Sequence, residues 1–246
     1  MIPVVPETSP ADPKHPVATR FVLELARALH THGTPAHRLE VVLSTVAKRL
    51  GLTAEFFSTP TSIMVGFGDL VEQHVHLMRV EPGEPNLGHL SRLGAITRDV
   101  IEGGVGPTDG LQRIRDLLAE PPRWPTWLVL VAFVCASAAV ACFLRVFTGD
   151  VFVAATLGLL TGCLSLACAR SDAWRHVTEP LAAFLVSTVA LTVDVATHTG
   201  TGYATSLAGL VVLLPGLTFT VALAELSSRH LASGTARLSG ALVVFL

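Results

Sequence analysis

Four apolar runs follow residue 126, each about as long as a bilayer is thick, and the fourth is interrupted by Pro215-Gly216. A helix rising ~1.5 Å per residue needs roughly twenty apolar residues to cross a ~30 Å hydrocarbon core. Residues 127–147, 151–169, 177–196 and 203–224 come close to that length. Half of all residues are apolar and only 15% are charged, which is too greasy for an ordinary soluble domain. The pattern predicts a polytopic α-helical membrane protein. A further apolar stretch, 237–246, spans less than half a bilayer as a helix, so it reads as the start of a fifth span in a chain that is a fragment.

Pro215 cannot donate to the carbonyl of Val211, and Gly216 frees the backbone further. In lipid such freed groups need protein or a water-filled cavity to receive them, as in the broken helices of transporter binding sites. Thr218 and Thr220 follow the break and carry hydroxyls toward it. A kink packed against neighbouring helices explains the same residues.

Composition changes abruptly at Pro121-Pro122-Arg123-Trp124-Pro125. We expect a disordered tail over 1–15, an α+β domain over 16–120, a linker over 121–126 and a transmembrane domain over 127–246. In the first domain, Val17, Phe21, Leu25 and Leu29 recur at helical spacing up to a stop around Gly33, and Leu39, Leu43, Val46 and Leu50 repeat the pattern up to Gly51. Thr53–Ser58, Thr61–Phe67 and Glu72–Val80 alternate like strands, the last two joined at Gly68-Asp69. Asn86 caps a third helix that ends at Gly103-Gly104, and Pro107 opens a fourth. The predicted order is ααβββαα.

Net charge is −2, which gives no reason to expect a nucleic-acid partner. The loops that share a side with the first domain carry Arg170, Arg175, Arg229 and Arg237, whereas the other side carries only Arg145. The positive-inside rule then places the first domain in the cytoplasm. Cys135, Cys142, Cys163 and Cys168 lie in apolar runs without a CxxC, and they read as core or helix-interface residues.

Asp194 falls in the outer turns of the third span, where a carboxylate is costly. It reads either as a proton-coupling or amine-binding group or as an interfacial carboxylate facing water. Glu225 and Arg237 frame a loop that holds Ser233-Gly234. They form an inner-mouth pair, meet a zwitterionic substrate, or merely solvate the loop. His74 and His76 share one strand face, but no further ligand has metal spacing, so a solvated face is expected and no metal. There is no phosphate loop and no nucleophile elbow, so neither a cofactor nor an enzyme activity is expected.

The chain resembles the threonine/serine exporter family. The resemblance rests on His32-Gly33-Thr34-Pro35, then Arg38-Leu39-Glu40, then Thr59-Pro60-Thr61 and Arg79-Val80. In the membrane half it rests on Leu213-Leu214-Pro215-Gly216, Glu225-Leu226, Ser233-Gly234 and Arg237-Leu238. The resemblance implies a bacterial inner-membrane secondary transporter that exports small hydrophilic metabolites, threonine and serine first, on the proton motive force. It also implies an alternative, a dicarboxylate exporter subunit acting with a second membrane chain; a non-transporting membrane sensor is a further class that the residues leave open. Expected partners are therefore a small molecule, protons, the lipid bilayer, and a membrane subunit or a second copy. Pro215, Gly216, Thr218, Thr220 and Asp194 are the candidate transport path. Glu225, Ser233, Gly234 and Arg237 are the candidate cytoplasmic mouth, and Gly33, Arg38, Glu40, Thr59, Pro60, Thr61 and Arg79 form the soluble-domain motif.

Overall fold

The computed structural model describes residues 16–69, 73–81, 83, 85–121, 123–171 and 177–244. The expected tail over 1–15, the start of the third strand at Glu72, and Arg175 lie outside these residues. The chain divides into two units. The first runs to Pro121 and also takes in Leu217–Gly240; the second holds Pro122–Gly216 and Ala241–Leu246.

In the first unit, α1 (Pro16–Thr31) and α2 (Ala36–Arg49) precede three strands, β1 (Ala54–Thr59), β2 (Ser62–Phe67) and β3 (His74–Arg79). Helices α3 (Leu87–Glu102) and α4 (Pro107–Leu118) follow. The strands form one antiparallel sheet in the order β1-β2-β3, with Phe57, Met64 and Leu77 in register. Phe21, Leu25, Leu39, Leu43, Ile63 and Leu93 are fully buried at the centre of one core. The alternating pattern of β2 supplies Ile63 and Val65 to this core. His76 departs from the solvated face expected of it. It is buried edge-on against Phe67, with ring centroids 5.5 Å apart, while His74 stays exposed at the strand end.

Gly33 ends α1 with φ +90°, a conformation that costs other residues a steric clash. A Cβ there would also sit 3.1 Å from Pro85. Gly103 ends α3 in the same left-handed way, and the Asn86 side chain accepts the His89 N–H at its start.

The second unit contains α5 (Thr126–Phe143), α6 (Thr148–Cys168), α7 (Thr178–Thr197), α8 (Gly202–Leu210) and a 3₁₀ turn, Val211–Leu213. Small residues let these helices approach closely. A Cβ on Gly158 would reach 2.7 Å from Cβ of Ser137, and one on Gly209 would reach 2.7 Å from Leu157. Thr161 hydroxyl donates to the Gly209 carbonyl at 2.9 Å, tying α6 to α8. The interior mixes small and polar side chains, Ser137, Ala154 and Thr161, with buried Leu157 and Val186, while Phe143, Phe152 and Phe184 face outward. Cys135, Cys142 and Cys163 also lie on exposed faces, so only Cys168 among the cysteines is a core residue.

Two further helices follow, α9 (Gly216–Ser227) and α10 (Leu231–Val244). Among the described residues, three helices (α5, α6 and α7) are long and apolar enough to cross a membrane. The interrupted pair Gly202–Leu213 and Gly216–Ser227 makes up to four if it is one broken span. At the break Leu214 is extended (φ −66°, ψ 127°), as a residue before proline prefers.

Candidate functional site

Helix α2 starts without a cap of its own. Its N-cap is Pro35, which has no side-chain oxygen and makes no capping bond. The first N–H of the helix, on Ala36, donates instead to Oε1 of Glu225 at 2.8 Å. A carboxylate at this end also meets the positive end of the helix dipole. Glu225 is fully buried on α9 and its other oxygen accepts the Ser233 hydroxyl at 2.8 Å. Arg237 Nε lies 3.2 Å from both carboxylate oxygens, and its side chain is 9% exposed. Gly234, next to Ser233, brings α10 against α9, since a Cβ there would lie 2.9 Å from the backbone N of Leu226.

Glu225, Ser233, Gly234 and Arg237 therefore come together as one buried cluster in which both carboxylate oxygens are partnered. A solvated loop is overturned as their explanation. Burying a carboxylate is tolerable only because every oxygen is satisfied and a guanidinium is paired with it. Neighbouring groups extend the network. Glu40 accepts from the N–H and hydroxyl of Ser58 at 2.9 and 3.1 Å, and its second oxygen faces His230 Nε2 at 3.4 Å. The His230 ring lies 5.9 Å from that of His37. His30 donates from Nε2 to the Pro60 carbonyl at 3.0 Å, which leaves its Nδ1 buried without a partner. Burial holds the His30 imidazole below the usual histidine range, and the charge of Arg237 pushes the same way.

Other motif residues have local roles. Thr59, Pro60 and Thr61 form the β1–β2 turn, with Thr59 Oγ1 accepting the Ser62 N–H at 3.1 Å. Arg79 ends β3 opposite Ser62. Arg38 is exposed on α2. Sequence reasoning missed Ala36, Ser58, His30, His37 and His230. The signal was the uncapped start of α2 at Pro35-Ala36, which asks for an acceptor from elsewhere.

In the second unit, Asp194 lies in the last turn of α7. Its Oδ1 accepts the Thr199 hydroxyl at 3.0 Å and the Thr201 N–H at 2.9 Å. Thr199 and Thr201 hydroxyls are 2.8 Å apart, and the Thr201 hydroxyl donates to Asp150 at 2.7 Å. Asp150 is buried in the first turn of α6 and was not singled out by the sequence. Gly202 makes room for this arrangement, because a Cβ there would lie 2.7 Å from that of Asp194. The transport-path candidates are dispersed along the chain. Pro215 and Gly216 mark the break, with Gly216 N–H donating to the Leu214 carbonyl at 2.8 Å, and Thr218 and Thr220 sit in the first turns of α9.

Helices that bury small and hydroxyl side chains and show phenylalanine outward define a polytopic helical membrane protein. Comparison with known proteins takes this further. Residues 20–246 match the family model ThrE, described as "Putative threonine/serine exporter", and the chain belongs to that family, one of transporters rather than enzymes. It is 27% identical over 232 residues to "Pheromone-regulated membrane protein 10" of Yarrowia lipolytica, covering 91% of this chain and 19% of that protein. The proteins of the same name from Candida albicans (strain WO-1) and Saccharomyces cerevisiae (strain YJM789) are 30% and 28% identical over 232 residues. Both alignments cover 91% of this chain, and they cover 21% and 30% of those proteins. The chain thus spans about a fifth to a third of the length of these relatives. No solved structure matches.

Proposed function

We propose that this protein is a secondary transporter that exports threonine and serine from the cytoplasm of a bacterium, driven by the proton motive force. Family membership supports export of a small molecule. The observation that carries proton coupling is a line of oxygens. Asp150, Thr201, Thr199 and Asp194 form three consecutive oxygen–oxygen contacts, so that two hydroxyls bridge two carboxylates. In this reading the two carboxylates, in the first turn of α6 and the last turn of α7, pass protons along that line.

The Glu225–Arg237 cluster is the latch at the cytoplasmic mouth in this reading, holding the start of α2 against α9 and α10 in a closed state. The break at Pro215-Gly216 offers backbone groups to a polar substrate, with Thr218 and Thr220 beside it. The 16–120 domain lies in the cytoplasm in this reading.

The test is efflux of labelled threonine from vesicles carrying wild type, Asp194→Asn or Glu225→Gln at matched insertion. The reading requires Asp194→Asn to lose its response to a pH gradient and Glu225→Gln to leak substrate or stall. Wild-type rates in both variants would contradict it. Release of labelled succinate in place of threonine would assign the dicarboxylate branch, and ligand binding without flux would assign a sensor.

A further inference from the structure

A groove of about 390 Å³ lies between α2 and α3 in the first unit. Leu29, Val42, Leu90 and Ile101 give it an apolar floor, and Arg38 and Arg98 stand on its two sides. No acidic residue is found among the described residues lining it. Neither guanidinium has an ion-pair or hydrogen-bond partner among the described residues. In the same unit Arg92 and Arg113 are both engaged by carboxylates, whereas Arg38 and Arg98 line an apolar groove.

Gly94 is the second observation. It sits inside α3, where a glycine costs about 1 kcal/mol against alanine. Its backbone has no positive φ, and a Cβ would meet nothing within 4 Å. Neither conformation nor close packing therefore calls for glycine here. What its missing side chain leaves is open volume in the groove wall, beside Arg98 and facing Arg38.

We propose that the α2–α3 groove binds a small organic dianion with an apolar body, such as a substituted dicarboxylate. Arg38 and Arg98 take the two negative groups, and the body covers Gly94 and the apolar floor. Guanidinium groups suit this role because their planar donors match carboxylate geometry. A zwitterion such as threonine is disfavoured, since its ammonium would find two cations and no carboxylate. The site is separate from the Glu225 cluster and gives the first domain a ligand of its own, whether or not the chain exports threonine.

The test is calorimetric titration of the full chain in detergent with benzylsuccinate, using succinate and threonine as controls. Benzylsuccinate should bind at least tenfold more tightly than succinate, and threonine should give no heat. R38Q and R98Q should each weaken binding at least tenfold. Gly94→Leu should abolish it while the melting temperature holds or rises, because leucine improves the helix and fills open space. No binding of benzylsuccinate at millimolar concentration would overturn the inference. So would unchanged binding in Gly94→Leu, or succinate bound as tightly as benzylsuccinate. None of these readings depends on flux, so failure of the export reading leaves them distinguishable.

Discussion

The backbone N–H of Ala36 donates to the carboxylate of Glu225 across 189 residues of sequence, at 2.8 Å. One side chain thereby caps a helix, pairs with Arg237 and accepts a serine hydroxyl, all without exposure to solvent. The resemblance residues of both halves meet at this carboxylate: the turn before Ala36 carries His32 to Pro35, and α10 carries Ser233 to Arg237.

Removing the charge from Glu225 should therefore be expensive. Glu225→Gln leaves Arg237 buried without its counter-ion, a class of change that costs about 3–5 kcal/mol. Ser233→Ala removes one hydrogen bond and should cost about 1 kcal/mol. Thermal unfolding of the full chain in detergent measures both. Equal melting temperatures for wild type and Glu225→Gln would show that the buried pair is not structural.

Stability should also fall with acidity. Burial lowers the pKa of His30 and of His76, for which the charge of His74 adds to the effect. The unfolded chain then binds more protons than the folded one below pH ~6.5, so stability drops as pH falls from there. Melting temperature should decline between pH 7 and pH 5.5. His30→Gln, which keeps a donor for the Pro60 carbonyl, should flatten the slope; an unchanged slope would remove His30 from the account.

Gly33→Ala tests the joint between α1 and α2. A residue with a Cβ is strained at φ +90° and would press on Pro85 at 3.1 Å. The expected loss is about 1–2 kcal/mol, read from the melting temperature. A neutral effect would mean that the turn relaxes without cost.

Much of this was legible beforehand, for identifiable reasons. Apolar run length located α5, α6 and α7, and helix punctuation at Gly33, Gly51, Asn86 and Pro107 marked where the helices of the first unit turn. The Glu225 cluster was visible only as separate candidates, because a bond between residues 36 and 225 leaves no periodic trace. Asp150 was missed for a related reason. An aspartate in the first turn of a helix reads as ordinary dipole compensation, and its partner Thr201 lies 51 residues away. His76 was misread because strand alternation gives a face but not which face meets Phe67.

The break itself makes a separate prediction. Pro215→Ala restores a backbone donor and lets the helix close over Leu214. Transport should fall while membrane insertion, followed by protease protection, stays as in wild type. Equal transport at matched expression would reduce Pro215 to a packing kink.

One measurement tests proton-driven export most directly. Proteoliposomes holding the full-length chain are loaded with labelled threonine and serine, and release is followed with a pH gradient imposed and with the gradient collapsed. Proton-driven export predicts rapid loss that stops when the gradient is collapsed. No release from well-inserted protein, or release at the same rate with and without the gradient, would contradict it.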